Sequence, residues 1–382
     1  MPRVHLLDRE SIVHRSDGID LLRALFALWV IAVHLGGWGP LTSTGAPQLL
    51  RSFLADEIRV FQQHGETNPA VIAFIVLSGY CIHRNGARRE GWSTRTYAIK
   101  RAFRIWPVYI AACIVGAVLF VIATHENATI APLISGTGSI TPGCMAVKLS
   151  GIAAVAPGLN VCGYEGNAPL VTVAVEIWLY AVYALGAVLL LRGGRQWTLW
   201  LIIGLVAGVV FLLWGRQPAD WGWWNNGSLP GFLPYWWIGA ALVGGAWRRR
   251  SLIVVGGGAG VFAVTTIASY QSTTLAEFHA LSFAILIGYC IRLVDERVRT
   301  LPRPLTMLGR SGYSLYAFHA PILIVLVSAG APWWVCVIAA VAAGNVAFWI
   351  YERPLTLRGR QLARRVAARS ATPPPEAAPA RA

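Results

Sequence analysis

Several ionisable residues of the sequence lie inside long apolar stretches, and their types could support proton transfer or anion binding. Asp20, Arg23 and His34 share the first stretch, and Glu176 lies in a later one. If these stretches cross a membrane, each charged side chain costs on the order of 2.5–3.5 kcal/mol and needs a structural or chemical reason. Asp20 is one helical turn before Arg23, so these two side chains can form an ion pair.

The spacing of Arg23 and His34 places both residues on one face of a helix. They are eleven residues apart, so at about 100° per residue His34 returns to within about 20° of the direction of Arg23. The rise of the helix separates the two residues by about 16 Å along its axis. We expect Arg23 at the cytoplasmic end of this helix and His34 toward its outer end.

His34 has the side chain type that best suits accepting a proton at neutral pH. Counting residues from the outer ends of the two apolar stretches places Glu176 at a depth similar to that of His34. We therefore expect His34 as a catalytic base and Glu176 as the carboxylate that orients it. A His–Glu hydrogen bond that only holds two helices together is equally consistent with the spacing.

The composition indicates which class of protein positions these residues. The chain has 382 residues, of which 56% are hydrophobic and 13% are charged, whereas soluble domains have about 25% charged residues. This composition predicts an all-α integral membrane protein and excludes a collagen-like, disordered or disulfide-scaffold chain. A net charge of +15 would suggest nucleic-acid binding in a soluble protein, but here we expect it to reflect membrane topology, with no nucleic-acid partner.

Apolar runs of about 20 residues predict about ten transmembrane helices. They lie near residues 19–36, 69–82, 105–123, 170–191, 197–214, 231–247, 251–269, 275–293, 312–330 and 332–351. With the N-terminus inside, only Arg51, Arg59, Lys148 and Arg216 of the 32 Lys and Arg residues fall outside. Because cytoplasmic loops carry the excess of positive charge, this distribution predicts that both termini are cytoplasmic.

We divide the chain into three parts. Residues 1–18 are a cytoplasmic N-terminal segment, and residues 19–354 are the transmembrane domain. Residues 355–382 are a basic, Pro- and Ala-rich cytoplasmic tail that we expect to be disordered.

Two of the six cysteines share the predicted outer loop 124–168. Cys144 and Cys162 can form a disulfide if the outer compartment is oxidising, although two free thiols fit the sequence equally well. The histidines are scattered, and no Cys or His pair has the spacing of metal ligands, so we expect no metal site.

Six short segments, in order along the chain, carry a family likeness. They are Ile19–Arg23 continuing to His34, Phe74–Tyr80 (FIVLSGY), Lys100–Tyr109, Val175–Tyr180, Gly309–Pro321 and Tyr351–Pro354. Together they resemble acyltransferase family 3, the membrane O-acyltransferases that modify bacterial surface glycans. The hallmark of that family is an Arg and a His with ten residues between them, which is the spacing of Arg23 and His34.

The resemblance implies an enzyme of ten helices in the bacterial inner membrane. It would take an acyl group from cytoplasmic acyl-CoA, with acetyl-CoA as the expected donor, and deliver it to a hydroxyl of a carbohydrate or glycolipid at the outer face. No permanently bound cofactor is implied. The lipid bilayer, acyl-CoA and the glycan acceptor are then the expected partners, and the oligomeric state stays open.

Arginines at the inner mouth suit the phosphates of acyl-CoA through charge-assisted, often bidentate contacts. We expect Arg23, Arg101 and Arg104 to bind the donor, although Arg101 and Arg104 could also serve only as positive-inside anchors. A further set of residues is expected to support the site: Asp20, Ser78, Tyr313, Tyr316 and His319. Ser78 could instead be a small helix-packing residue, and His319 a hydrogen-bonded core histidine.

Three tryptophans of the predicted outer loop 215–230 are candidates for the acceptor site. Trp221, Trp223 and Trp224 could stack on sugar rings, but tryptophans also form belts at the lipid interface.

Two other classes of function remain open. In a transporter or flippase, the intramembrane residues Asp20, Arg23, His34 and Glu176 would form a proton or substrate path. The sequence has no internal repeat, which disfavours that reading, and a non-catalytic binding protein is the remaining alternative. Transfer of a labelled acetyl group in membranes would discriminate between an enzyme and either alternative.

Overall fold

The computed structural model of the protein describes residues 16–37, 48–61, 68–87, 93–126, 140–152, 155, 162–164, 166–190, 229–243, 251–268 and 273–371. Within these ranges all long regular elements are helical. The helices are α1 (Asp17–Gly37), α2 (Gln48–Phe61), α3 (Pro69–Ala87), α4 (Thr94–Glu126), α5 (Pro142–Leu149), α6 (Leu170–Leu190), α7 (Leu229–Ala241), α8 (Ser251–Ala268), α9 (Thr273–Arg297), α10 (Arg303–Arg310), α11 (Gly312–Ser328), α12 (Trp333–Ala347), a π-helical turn (Phe348–Glu352) and α13 (Arg353–Ala371).

The lengths and compositions of these helices fit an all-α membrane protein. Among the described residues, four helices are long and apolar enough to cross a membrane, or five if the bent pair α10–α11 is one span. Three shorter apolar helices correspond to parts of α3, α6 and α8. The count of ten spans stays a prediction, and its fifth run, residues 197–214, lies outside the described residues.

Two points of contact show that α1 and α11 run in the same direction. The backbone at Gly312, where α11 begins, lies against Arg23 near the start of α1. Further along both helices, the rings of His34 and His319 are in contact. The order of contacts is the same in the two helices, as expected for a first and a ninth span that both leave the cytoplasmic side.

Helix α3 runs in the opposite direction to α1. Arg23 contacts Cys81 near the end of α3, whereas Phe26, one turn later in α1, contacts Phe74 near the start of α3. Because the numbering rises in one helix as it falls in the other, the pair is antiparallel, as consecutive spans must be.

Two glycines allow α3 and α7 to approach each other very closely. A Cβ atom added at Gly79 would overlap the carbonyl of Trp236, and one added at Gly239 would overlap the carbonyl of Val76. Small residues at a crossing are the usual means by which membrane helices bring their backbones together. Around this crossing lies the main core, which includes the buried side chains of Tyr235 and of Trp236 itself.

The end of the chain differs from the sequence prediction. We expected the tail from residue 355 to be disordered, but residues 353–371 form helix α13. A narrow face with small residues explains the difference: Gly359 lies against Phe103 of α4, and Ala363 is fully buried. The basic residues occupy the opposite, exposed face, so the segment is amphipathic even though its composition is that of a solvated tail. Residues 372–382 lie outside the described residues.

A small layer of structure covers one end of the helices and contains a disulfide. Cys144 of α5 is bonded to Cys162. Of the two alternatives left open by the sequence, the structure therefore has the disulfide and not two free thiols. The hydroxyl of Tyr109 in α4 donates to the carbonyl of Lys148 at 2.5 Å, and the indole of Trp178 in α6 donates to the carbonyl of Gly151 at 3.1 Å. These bonds attach α5 and the turn after it to α4 and α6.

Gly79→Ala is expected to destabilise the protein because the new methyl group would force α3 away from the backbone of α7. Overpacking of this kind costs typically about 1–3 kcal/mol. The measurement is the unfolding midpoint of the purified protein in detergent. Gly256→Ala is the matched control, because a Cβ atom at Gly256 meets nothing within 4 Å. Equal midpoints for the two variants would contradict the close approach.

Candidate active site

A cavity of about 90 Å³ lies between α1, α3, α4, α6 and α11. It is lined from both ends of the helices: Arg101 and Arg104 come from the first part of α4, whereas Val71 and Thr172 come from the first turns of α3 and α6. Because α3 is antiparallel to α1, its first turn is far from the end that carries Arg23. A single water needs only about 10–15 Å³ of such space, so the cavity has room for a small chemical group.

Arg23 is fixed at this cavity by a buried carboxylate. Its Nη1 atom donates to Oδ1 of Asp20 at 2.9 Å, and Asp20 is completely buried. Its Nη2 atom donates to the sulfur of Cys81 at 3.5 Å. The ion pair predicted from the spacing of Asp20 and Arg23 is therefore present, and it leaves the guanidinium of Arg23 on the cavity wall.

Arg101 and Arg104 lie on the same wall as Arg23. The guanidinium of Arg101 is 5.7 Å from the ring centre of Tyr97 and 5.2 Å from that of Tyr180, the range of cation–π contacts. Within the described part of the chain, neither Arg101 nor Arg104 forms a salt bridge with a carboxylate. Three guanidinium groups therefore line the cavity, whereas only one of its described lining residues carries a carboxylate. This excess of positive charge favours binding of an anion.

Glu176 is that carboxylate, and the structure gives it different partners from the one expected. Ser78 donates to Oε1 of Glu176 at 2.5 Å, and the hydroxyl of Tyr180 also donates to it. The predicted bond between Glu176 and His34 is wrong, because within the described residues Glu176 bonds to Ser78 and Tyr180. Equal depth on two helices is insufficient for contact when the side chains point in different directions.

The partner of His34 is His319 of α11. Nδ1 of His34 lies 2.7 Å from Nε2 of His319, and Nδ1 of His319 lies 2.7 Å from the carbonyl oxygen of Tyr316. His319 is completely buried. The ring of Tyr316 is 5.7 Å from that of His319 and also lines the cavity. Tyr316 therefore lies between the cavity and the histidine pair.

These features agree with the comparison with known families. A family model described as an acyltransferase domain matches residues 16–351, which include the cavity and the histidine pair. The chain belongs to acyltransferase family 3. Neither a comparison with curated proteins nor one with solved structures gives a match. The family and the apolar helices together identify a multi-pass membrane acyltransferase.

The position of His319 in this acyltransferase depends on a proline two residues later. Pro321 has no N–H group, so the carbonyl of Ala317, four residues earlier, loses its helical donor. Asn167 supplies the missing donor at 2.8 Å, and it also donates to the carbonyl of Ala112 in α4 at 3.2 Å. Asn167 thereby joins α4 to α11 beside the histidine pair. Sequence reasoning missed Asn167, although the orphaned carbonyl implied by Pro321 was a usable signal.

Two tyrosines of α11 attach the wall of the acyltransferase cavity to neighbouring helices. The hydroxyl of Tyr313 donates to the carbonyl of Ile105 in α4 at 3.0 Å. The hydroxyl of Tyr316 bonds to the hydroxyl of Thr172 and donates to the carbonyl of Pro169 at 3.2 Å. Both tyrosines were expected to support the site. Thr172 was missed, since a threonine in the first turn of an apolar helix has no distinctive pattern.

The structure leaves the predicted acceptor-binding tryptophans untested. Trp221, Trp223 and Trp224 lie outside the described residues. Among the residues that the structure does describe, no group of three or more His, Cys, Asp and Glu side chains could hold a metal ion.

Proposed function

We propose that this acyltransferase takes an acyl group of acetyl size from cytoplasmic acyl-CoA and transfers it to a hydroxyl of a carbohydrate or glycolipid at the outer face of the bacterial inner membrane. One observation carries the proposal: three arginines line one end of a cavity whose other end reaches Tyr316, next to the His34–His319 pair. A donor with a charged end and a reactive end far from it fits such a cavity.

The arginine end of the cavity supports an anionic donor. Arg23 is already paired with Asp20, whereas Arg101 and Arg104 form no salt bridge with a carboxylate in the described part of the chain. An unpaired guanidinium in a low-dielectric site is costly, and phosphate oxygens relieve that cost through charge-assisted hydrogen bonds. The phosphates of acyl-CoA would therefore bind here, with the pantetheine arm directed along the cavity.

The histidine end supports transfer to a hydroxyl. In the proposed reaction His34 accepts the proton of the acceptor hydroxyl while the oxygen of that hydroxyl attacks the thioester carbonyl. The carbon–sulfur bond then breaks, and the proton passes from His34 to the departing thiolate, so that an ester and free CoA are formed. No covalent acyl-enzyme is needed. Glu176 would act on the donor side, where it holds Ser78 and Tyr180 on the cavity wall.

The direction of the helices supports the proposed orientation, with ten spans and both termini cytoplasmic. Helix α1 is parallel to α11 and antiparallel to α3, as alternating spans require. The disulfide between Cys144 and Cys162 fits an oxidising compartment, which the proposal assigns to the outer side. The arginine end of the cavity would then open toward cytoplasmic acyl-CoA.

Arg104→Gln is expected to raise the apparent KM for acetyl-CoA by about tenfold or more, since a hydrogen bond to a charged group contributes about 1.5–3 kcal/mol. The KM for the acceptor should change less. Arg95→Gln is the matched control, because Arg95 is an exposed arginine of the same helix and outside the cavity lining. An unchanged donor KM in Arg104→Gln, with normal protein level, would indicate that Arg104 only sets topology.

His34→Ala is expected to lower kcat by about 10²–10⁴-fold, the usual contribution of a general base. Binding of acetyl-CoA should persist, because the arginines remain. Transfer of labelled acetyl to surface glycan in membrane vesicles measures the first effect, and equilibrium binding to the purified protein measures the second. Near-normal transfer by a folded His34→Ala protein would refute the base assignment, and a trapped acylated side chain would refute direct transfer.

A topology experiment tests the orientation independently of activity. In a protein that keeps its disulfide but lacks its four free cysteines, Ile140→Cys should react with an impermeant maleimide in intact cells. Ser93→Cys should react only after the membrane is opened. Both positions are exposed. Labelling of Ser93→Cys in intact cells would overturn the orientation.

A further inference from the structure

The hydrogen bond between His319 and the backbone determines where the proton lies on the His319 ring. Nδ1 of this ring is 2.7 Å from the carbonyl oxygen of Tyr316. A carbonyl oxygen can only accept a hydrogen bond, so Nδ1 must carry the hydrogen. In a neutral imidazole the other nitrogen is then an acceptor. Nε2 of His319 therefore offers a lone pair to its neighbour.

That neighbour is Nδ1 of His34, at 2.7 Å. The planes of the two rings differ by only 7°, and their centres are 5.0 Å apart. Since the facing nitrogens are much closer than the ring centres, the rings meet edge to edge. A ring nitrogen has its lone pair in the ring plane, so this geometry aligns the lone pair of His319 with an N–H group of His34.

We propose that His319 is a positioning residue that holds neutral His34 in the tautomer with hydrogen on Nδ1 and the lone pair on Nε2. The Tyr316 carbonyl fixes the tautomer of His319, and His319 in turn fixes the tautomer of His34. The opposite tautomer of His34 would place two lone pairs 2.7 Å apart, an arrangement without a hydrogen bond between two groups that are largely removed from water.

For the proposed function, on which this role rests, the consequence is that Nε2 is the atom of His34 that takes the proton of the acceptor hydroxyl. The imidazolium that forms keeps its Nδ1–H group on Nε2 of His319, so the positive charge retains an acceptor. The proton then leaves from Nε2 to the departing thiolate. His319 forms and breaks no covalent bond in these steps.

Nitrogen-15 NMR of the full chain in lipid nanodiscs, with labelled histidine, tests the tautomer without reference to activity. The resonances of His34 are those lost in His34→Ala. We expect a protonated Nδ1 and an unprotonated Nε2 in the native protein. A protonated Nε2 and an unprotonated Nδ1 would overturn the proposal. If the tautomer is as expected but the protein transfers no acyl group, the proposed function fails and the tautomer assignment stands.

Variants of His319 test the consequence for catalysis. His319→Phe removes the acceptor, so kcat should fall by about 10²-fold, within the range that a general base contributes, while the KM for acetyl-CoA stays within about twofold. His319→Gln can present an amide oxygen near the position of Nε2, and it should recover a large part of kcat and the Nδ1–H tautomer of His34. Unchanged kcat in His319→Phe would refute the positioning role.

His279→Phe is the matched control for replacing a buried histidine. His279 packs against Phe262 of α8, bonds to Thr266 and does not line the cavity. This variant should leave kcat and the His34 resonances unchanged. Equal losses of kcat in His279→Phe and His319→Phe would mean that the effect is one of general stability, which would also overturn the proposal.

Discussion

The charged end of the site depends on one carboxylate that has no access to solvent. Asp20 is completely buried and accepts a hydrogen bond from Arg23 at 2.9 Å, while Arg310 of α10 lies 3.8 Å away. The backbone of Asp20 also lies directly against Gly309, where no side chain would fit. Breaking a buried ion pair leaves an uncompensated charge, which costs about 3–5 kcal/mol. The same residue thus fixes Arg23 and the junction of α10 with α11.

This junction matters because α11 carries most of the remaining site. Helices α10 and α11 meet at an angle of 68°, and the turn between them exposes backbone groups that the membrane cannot solvate. Glu352 satisfies one of them: its carboxylate accepts from the N–H and the hydroxyl of Ser314, at 3.2 and 2.6 Å. Glu352 lies in a π-helical turn, a feature that is frequent at functional sites. The bend therefore sets the height at which Tyr316 and His319 face α1.

Sequence reasoning was most successful where the answer lay within one helix. The Asp20–Arg23 pair and the shared wall of Arg101 and Arg104 follow from helical spacing of three residues. For contacts between helices, the sequence indicated only the depth of each residue in the membrane. Depth gives the height of a side chain along the helix axis and not its direction about that axis. For that reason the partner of His34 was assigned to Glu176, and the true partner, His319, was expected only to support the site.

Backbone groups explain most of what the sequence did not reveal. The Asn167 side chain is needed because Pro321 removes a donor from α11, and the orientation of His319 is set by the carbonyl of Tyr316. Bonds to backbone groups cannot be predicted from composition, because composition describes side chains only. They also connect the parts of the site: Asn167 ties α11 to α4, the helix of Arg101 and Arg104. A shift of α11 would therefore move the histidine pair relative to the arginines, so the membrane acyltransferase depends on backbone bonds to keep both ends of its cavity in register.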